Sequence, residues 1–314
     1  MSAPRVGIIG LGAFGSRVAM RLLGSGFHTL QIYDLSEETP RVFSNNWGGL
    51  HVGSPKMMAQ SSDIIVTVLP SAAAIRDVCF GWQGLATGFS RGGILIDLGV
   101  TDPAETVALA KELKSHNVDL VDAPAFGTPD AAGEGKLTLI VGGEDHAVER
   151  SRPVLEKLAA KTIRAGAAGS AQAAGAIADY MRAVRLLAAG EAIQLGAHFG
   201  FEAANLLGVC DALGGADLPQ MLRNDMATRR FKSGHSLGIL RANVELAARL
   251  AASVNVTLPL MTPAQQALSE AQARLGYGAD QTAIVKWLDA AAAPADANKN
   301  AETKAESGDN SGAS

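Results

Sequence analysis

A glycine-rich turn near the start of the chain constrains its fold more than any other feature. The segment "RVGIIGLGAFGSRVAMRLL" places three glycines after a short apolar run and at the start of an amphipathic helical pattern. In this spacing the first glycine permits a tight turn, the second lets the backbone approach a pyrophosphate, and the third lets helix and strand pack closely. The helix N-terminus adds N–H groups that bind an anion. We therefore predict a strand–turn–helix unit that binds a dinucleotide through Gly10, Leu11, Gly12, Ala13, Phe14 and Gly15.

Short apolar runs alternate with helical patterns through the first half of the chain. Near-continuous apolar strands alternating with helices indicate a parallel sheet covered on both faces. The N-terminal domain is therefore expected to be an α/β Rossmann domain. Its predicted strands span 5–10, 28–34, 63–70, 92–99, 118–124 and 136–143, and its predicted helices include 15–25, 71–80 and 103–116.

The second half of the chain has a different character, because Ala and Leu dominate and strand signals vanish. One helix is predicted to bury a stripe at three- and four-residue spacing, and a later helix is predicted to end at Gly276. The stripe comprises Leu237, Leu240, Val244, Ala247 and Ala251.

These patterns divide the chain into three parts. We predict a Rossmann domain over 1–164, an all-α C-terminal domain over 165–292, and a disordered tail over 293–314. The tail is expected to stay disordered because it contains too few hydrophobic residues to bury.

Composition excludes several classes of protein. The 314 residues carry a formal net charge of −4. The chain therefore lacks the excess of basic residues that is typical of nucleic-acid-binding proteins. No run reaches the roughly 18 apolar residues of a membrane span. Cys79 and Cys210 stand far apart without a CxxC pattern, so we expect reduced core thiols and no metal site. A cytoplasmic protein is predicted, with a small-molecule substrate and with neither nucleic acid nor a membrane as partner.

Residues at the ends of the predicted strands indicate which dinucleotide binds. Asp34 ends the second strand, where a carboxylate accepts hydrogen bonds from a ribose 2′-hydroxyl and repels a 2′-phosphate. No arginine follows it immediately in "DLSEETPR", so NAD is favoured, with NADP as the alternative. Leu69 and Pro70 follow the third strand, at the carboxyl edge where such sheets bind ligands. Together with Val100 after the fourth strand, they are predicted to contact the cofactor.

With these elements in order, the chain resembles the β-hydroxyacid dehydrogenase family, which contains 3-hydroxyisobutyrate dehydrogenases and tartronate semialdehyde reductases. The resemblance implies a Rossmann domain, a long interdomain helix and an all-helical C-terminal domain that serves substrate binding and dimerisation. It also implies oxidation of 3-hydroxy acids, or reduction of the matching aldehydes, by a homodimer or homotetramer. The motifs that carry it are "GLGAFG", the "VLP" after the third strand, "DLGVTDP" (97–103), "DAPAFGTPDAAGEGKLTLIVGG" (122–143), "GAAGSAQAAG" (166–175) and "LAASVNVTLPLMTPAQQAL" (250–268).

The active-site positions of this chain depart from the family pattern. Gly175 stands where the family has the lysine that acts as general acid, and Ala178 and Asp179 stand where it has two asparagines. Phe126 replaces the serine that binds the substrate carboxylate.

A later family motif with a lysine and an aspartate reads Ala242 and Asn243 here. Loss of two lysines and the serine favours a substrate that is less anionic and more apolar or aromatic than a small hydroxy acid. The residues predicted to bind it are Phe126, Gly127, Thr128, Gly175, His235 and Asn243.

Asp179 is the predicted source of the catalytic proton. It follows Gly175 by four residues, so the two lie on the same face of a helix. A carboxyl removed from water can keep its proton near neutral pH and act as an acid. In the alternative interpretation, Asp179 forms an ion pair with Arg182 or Arg185.

Three other side chains could supply a proton. Tyr180 follows Asp179, although its direction on the helix differs by about 100°. Lys232 and His235 lie in the polar segment "RRFKSGHSLG", where capping of the next helix by Ser233 or Ser236 is the simpler interpretation.

We therefore expect an NAD-dependent oxidoreductase that acts on an alcohol or carbonyl group and has an atypical acid/base residue. Two alternatives stay open. One is reduction of C=N bonds, since imine reductases share this plan and replace the family lysine with an aspartate or tyrosine. The other is a catalytically silent NAD-binding protein.

Overall fold

A computed structural model describes residues 4–89, 92–212 and 220–292. These residues group into two compact units. The first contains the chain up to Tyr180 together with Asn243–Thr257, and the second contains Met181–Ala242 together with the residues from Leu258 onward. The expected domain boundary at 164/165 lies within the last strand of the first unit. The predicted tail over 293–314 lies outside the described residues.

The first unit is built on a nine-stranded sheet with the order β3-β2-β1-β4-β5-β6-β8-β7, and β9 pairs with β8. Successive strands lie to one side of β1 and then to the other, so the topological switch point falls between β1 and β4. Open α/β sheets bind ligands at the carboxyl ends of the strands at this point. The strands are β1 (Val6–Ile9), β2 (Gln31–Tyr33), β3 (Leu50–His51), β4 (Ile64–Thr67), β5 (Gly93–Asp97), β6 (Val118–Asp122), β7 (Ala125–Phe126), β8 (Leu137–Gly143) and β9 (Ala159–Gly166).

Helices follow most of these strands, as expected for a doubly wound sheet. In the first unit they are α1 (Ala13–Gly24), α2 (Glu38–Trp47), α3 (Pro55–Ser61), α4 (Ala72–Phe80), α5 (Pro103–Ser115), α6 (Pro129–Glu134) and α7 (Asp145–Leu158). The later helices are α8 (Ser170–His198), α9 (Ala203–Ala212), α10 (Gln220–Thr228), α11 (Leu237–Ser253), α12 (Met261–Leu275) and α13 (Ile284–Ala292).

The sheet departs from the prediction at one end. Strands β1 to β6 pair in parallel, but β8 runs antiparallel to β6 and β7. Only the short helix α6 joins β7 to β8, which is too little chain for the crossover that a parallel pair requires. The second strand is also shorter than predicted, because Leu30 N–H bonds to Phe27 O in a turn before it.

The core lies on both faces of the sheet. Ile8 belongs to one buried apolar cluster together with Val18 and Leu22 of α1, whereas its neighbour Ile9 belongs to a second cluster that includes Leu109 and Leu113 of α5. Successive strand residues point to opposite faces, so an all-apolar strand buries both.

Beyond Gly166 the described residues form helices and one 3₁₀ turn, with a single isolated β-bridge. The predicted stripe of α11 is buried at its first four positions, and Ala251 is half-buried. Gly276 directly follows α12, as predicted. None of the described helices has both the length and the apolar character needed to cross a bilayer. The expected fold class is therefore confirmed: an α/β Rossmann N-terminal domain followed by an all-α C-terminal domain.

Candidate active site

The turn after β1 can be built only with glycines at two positions. Gly10 has φ +98°, and a Cβ atom there would lie 2.2 Å from the carbonyl oxygen of Val68. A Cβ at Gly15 would lie 1.9 Å from the carbonyl oxygen of Gly10. Gly12 differs, because a Cβ there would meet nothing within 4 Å, and no side chain caps the helix that follows. The turn thus leaves open space and free N–H groups at the N-terminus of α1, which fits a pyrophosphate.

The Asp34 carboxylate is held in place beside this turn. Leu11 N–H donates to its Oδ2 at 2.7 Å, and Ser36 N–H donates to its Oδ1 at 3.0 Å. Each carboxylate oxygen has a further lone pair. The group can therefore still accept hydrogen bonds from the two hydroxyls of a ribose.

The loops after β4 and β5 meet at the same edge of the sheet. A Cβ at Gly10 would lie 3.4 Å from the Leu69 side chain, and one at Gly99 would lie 3.1 Å from the Leu69 carbonyl oxygen. Pro70 and Val100 are both exposed at this edge. The structure therefore brings together the residues predicted to contact the cofactor.

Asp122, at the end of β6, fixes the start of α8. Its carboxylate accepts N–H bonds from Gly169 at 3.1 Å, Ala171 at 3.2 Å and Gln172 at 3.4 Å. A carboxylate at a helix N-terminus satisfies N–H groups that lack partners within the helix and interacts favourably with the helix dipole. The role of Asp122 was not predicted, because the N–H groups that donate to it lie 47 to 50 positions away in the sequence.

Gln172, in the same turn of α8, is hydrogen-bonded to the loop after β5. Its Oε1 accepts a hydrogen bond from Thr101 N–H at 3.1 Å, and its Nε2 donates to Gly99 O at 3.0 Å. These two bonds flank Val100. No sequence pattern connects Gln172 to this loop, because the contact spans more than 70 positions.

Asp97 and Asp122 are buried carboxyls that lie directly opposite each other in β5 and β6. Burial raises the pKa of Asp97 to about 6, although hydrogen bonds from Thr67 Oγ1 and Gly99 N–H act in the opposite direction. Burial also raises the pKa of Asp122, and its backbone hydrogen bonds oppose that shift. Each group is the last residue of its strand, where it accepts hydrogen bonds from a later loop or turn.

Phe126 and Gly175, predicted separately as substrate-binding residues, are in contact. Gly175 is buried within α8, and a Cβ there would lie 2.9 Å from Cζ of the half-buried Phe126 ring. The helix face next to the ring therefore carries no side chain at this position.

Asp179 lies one turn further along α8 and is hydrogen-bonded to Asn243 of α11. The Asn243 side-chain amide donates to Asp179 Oδ2, and both residues are buried, with exposures of 6% and 2%. The two lie 64 positions apart. The alternative interpretation of the sequence paired Asp179 with Arg182 or Arg185, and no sequence pattern indicated a contact with Asn243.

Among the other predicted residues, Thr128 makes a local hydrogen bond. Thr128 Oγ1 accepts a hydrogen bond from Ala131 N–H at 3.2 Å and so caps α6, directly after Gly127. Tyr180 is half-buried and Lys232 is exposed.

His235 lies in the second unit, just before α11. Burial and the positive charge of Arg182 lower the pKa of His235, while Asp280 acts in the opposite direction. Ser236 accepts a hydrogen bond from Gly238 N–H at 3.2 Å at the start of α11, whereas Ser233 bonds to Asp280 at 2.9 Å. Of the two serines predicted as a cap, Ser236 therefore has that role.

Comparison with protein families covers almost the whole described chain. Residues 5–166 match the NAD binding domain of 6-phosphogluconate dehydrogenase. Residues 169–288 match the family described as NAD-binding of NADP-dependent 3-hydroxyisobutyrate dehydrogenase.

Individual proteins agree with these matches. A probable mitochondrial 3-hydroxyisobutyrate dehydrogenase of Arabidopsis thaliana is 28% identical, covering 83% of this chain and 80% of its own length. The 2-hydroxy-3-oxopropionate reductase of Escherichia coli is 27% identical, covering 91% and 97%.

Solved structures of related enzymes share the fold of this chain. The 3-hydroxyisobutyrate dehydrogenase of Mycobacterium tuberculosis with L-serine superposes with a TM-score of 0.83 at 25% identity, covering 91% of this chain and 99% of that one. An imine reductase from Myxococcus stipitatus, 20% identical with a TM-score of 0.56 over 91% of this chain and 99% of that one, shares the fold. With its NAD-binding turn intact and both halves matched, this chain belongs to the β-hydroxyacid dehydrogenase family of NAD(P)-dependent oxidoreductases.

Proposed function

We propose that this family member interconverts an alcohol and its carbonyl compound, with NAD as cofactor and Asp179 as the acid/base residue. One observation supports this proposal most: Asp179 is a buried carboxyl on α8 that accepts a hydrogen bond from Asn243 of α11. The same helix α8 is hydrogen-bonded through Gln172 to the loop that contains Val100. A carboxyl removed from water and fixed by a hydrogen bond is suited to deliver a proton.

The first unit supplies the groups that would hold the dinucleotide. Bound NADH supplies the hydride that the carbonyl carbon receives. The turn from Gly10 to Gly15 presents N–H groups to the pyrophosphate, and Asp34 accepts hydrogen bonds from a ribose. We favour NAD over NADP because the fixed carboxylate of Asp34 would repel a 2′-phosphate. Leu69, Pro70 and Val100 are proposed to line the cofactor at the carboxyl edge.

Asp179 donates or accepts the proton at the substrate oxygen, depending on the direction of the reaction. When the carbonyl carbon receives hydride, the electron pair of the C=O bond moves to oxygen, and protonated Asp179 gives that oxygen its proton. In the oxidising direction the Asp179 carboxylate accepts the hydroxyl proton. A positioned general acid of this kind contributes about 10²- to 10⁴-fold to the rate.

The proposal extends to the roles of the two domains, the assembly of the protein, its location and the residues that contact the substrate. We propose that 1–164 bind the cofactor and that 165–292 bind the substrate and form a homodimer or homotetramer in the cytoplasm. The substrate would contact Phe126, Gly127, Thr128, Gly175, His235 and Asn243.

Reduction of a C=N bond is the second candidate function. The same observation favours it, because a carboxyl at Asp179 with glycine at 175 suits a cationic iminium better than an anionic acid. A silent NAD-binding protein is the third candidate.

Two measurements on the full chain separate these candidates. Fluorescence titration with NADH and NADPH tests cofactor binding, and tighter binding of NADPH would overturn the role given to Asp34. A panel of hydroxy acids, aryl alcohols and cyclic imines, followed by nicotinamide absorbance, tests the reaction. Turnover of alcohols supports the proposal, turnover of imines alone supports the second candidate, and tight NADH binding without turnover supports the third.

A further inference from the structure

The ring of Phe126 lies directly against α8 at Gly175. A Cβ atom at Gly175 would lie 2.9 Å from Cζ and 3.6 Å from Cε2 of that ring, and 4.0 Å from Cγ of Pro124. A separation of 2.9 Å between carbon atoms is well inside their contact distance. Any side chain at position 175 would therefore have to displace the ring.

The contact also explains why a glycine lies inside this helix. Helix interiors disfavour glycine relative to alanine, yet Gly175 is buried within α8. Phe126 belongs to β7, whose pairing with Thr138 of β8 holds its backbone in the sheet. Since the sheet fixes the base of the ring, the helix can approach it only without a Cβ. The ring of Phe126 thus packs directly on the backbone of α8 at Gly175, and the ring together with this backbone is called the Phe126–Gly175 surface.

The groups at this surface determine which substrates it can accept. A carboxylate brought against the ring would lose water without gaining a hydrogen bond from the Phe126 side chain, and Gly175 has no side chain to offer one, which is unfavourable. It would also approach Asp179, one helical turn away, whose carboxyl is held by Asn243. An uncharged planar group would instead bury apolar area and make aromatic contact with the half-buried ring.

We infer that Phe126 and Gly175 determine substrate class, and that the substrate presents an uncharged, planar apolar group to the ring of Phe126. This inference rests on the proposed function, because it concerns the substrate of the same site. It assigns Phe126 the role of a specificity-determining residue and gives Gly175 the role of making room for the ring.

A matched pair of unreactive ligands tests the inference without requiring turnover. Phenylacetamide carries a phenyl group where malonamate carries a carboxylate, and the two are otherwise the same. Isothermal titration of the full chain, saturated with NADH, should show that phenylacetamide binds at least about tenfold more tightly. A tenfold ratio corresponds to about 1.4 kcal/mol.

Two variants identify the source of that preference. Phe126→Ser should reduce the ratio of the two affinities at least about tenfold, because it removes the ring. Phe126→Leu keeps apolar volume and loses the aromatic contact, so its ratio should fall by a smaller factor. The melting temperature and NADH affinity of each variant show whether it has folded, and Phe126→Leu provides the test if Phe126→Ser does not fold.

Several outcomes would overturn the inference. These are equal or tighter binding of malonamate by the unmodified chain, no binding of phenylacetamide, or an unchanged ratio in a folded Phe126 variant. If the chain bound no NADH, the proposed function would fail, and the same titrations on the chain alone would still test the inference. Preference for phenylacetamide without any alcohol turnover would likewise leave the inference standing while contradicting the proposed function.

Discussion

The side-chain amide of Asn243 donates a hydrogen bond to the carboxyl of Asp179, and the bond joins α11 to α8 within the first unit. Both side chains are almost completely buried. Buried polar groups are normally hydrogen-bonded, and removing one partner leaves the other with its full desolvation penalty. The bond therefore contributes to stability as well as to the orientation of the carboxyl.

Asn243→Ala should lower the free energy of unfolding by about 1–3 kcal/mol, because it removes a donor from a buried carboxyl. Chemical denaturation measures the change. Asn224→Ala is the matched control, since Asn224 is exposed on α10, and substitutions at such positions typically stay within about 0.5 kcal/mol. Equal effects of the two substitutions would mean that the hydrogen bond contributes little.

Three glycines of the first turn and helix should respond differently to alanine. Gly10→Ala should lower both the melting temperature and the affinity for NADH, because Gly10 has positive φ and no room for a Cβ. Gly12→Ala should keep the melting temperature and weaken NADH binding at least about tenfold, since its Cβ would fill only the space meant for the pyrophosphate. Gly24→Ala, also with open space around it, should leave NADH affinity unchanged. Normal NADH binding by Gly12→Ala would show that the dinucleotide lies elsewhere.

Asp34→Asn should shift the preference between NADH and NADPH toward NADPH by about tenfold or more. The substitution removes the negative charge that repels a 2′-phosphate. The dissociation constants of both cofactors, measured by fluorescence, give the ratio. Asp130→Asn makes the same charge change at an exposed site and should leave the ratio unchanged. A similar shift in both variants would show that net charge, and not the position of Asp34, determines the preference.

The pKa of Asp97, raised to about 6 by burial, predicts how stability depends on pH. The folded protein binds more protons than the unfolded chain between about pH 4 and pH 6, so Asp97 makes stability fall as pH rises through that range. Above it, ionised Asp97 lowers stability by about 3 kcal/mol at most.

Asp97→Asn should remove this part of the pH dependence. Its side-chain oxygen can still accept the hydrogen bonds from Thr67 and Gly99. The variant should therefore match the unmodified chain near pH 4 and exceed its free energy of unfolding near pH 8. Denaturation curves across that pH range measure the difference, and a difference independent of pH would contradict the assignment.

Gly175→Ala should not give the stability that alanine normally adds to a helix. Replacing glycine by alanine in a helix interior typically stabilises by about 1 kcal/mol. Gly208→Ala in α9 should show that gain, because Gly208 is exposed with open space around it. Gly175→Ala should show little or none and should weaken phenylacetamide binding, because its Cβ displaces the Phe126 ring. Equal stabilisation in both variants would contradict the close contact.

Local sequence patterns predicted the features that local chemistry determines. The glycine spacing, the apolar strands and Asp34 at a strand end all depend on neighbours within a few residues, and the structure places them as expected. The antiparallel pairing of β8 was not predicted, because strand direction depends on how much chain returns between strands. Asp122, Gln172 and the bond between Asp179 and Asn243 join distant positions, so no local pattern could reveal them.

The reciprocal variant Asp179→Asn/Asn243→Asp tests the role of Asp179 most directly. It keeps one amide and one carboxyl in the pair and moves the carboxyl from α8 to α11. With folding and NADH affinity intact, we expect turnover to fall at least about 100-fold on any alcohol or carbonyl substrate found in the panel, as in Asp179→Asn alone. A rate close to that of the unmodified chain in the reciprocal variant would show that Asp179 has only a structural role.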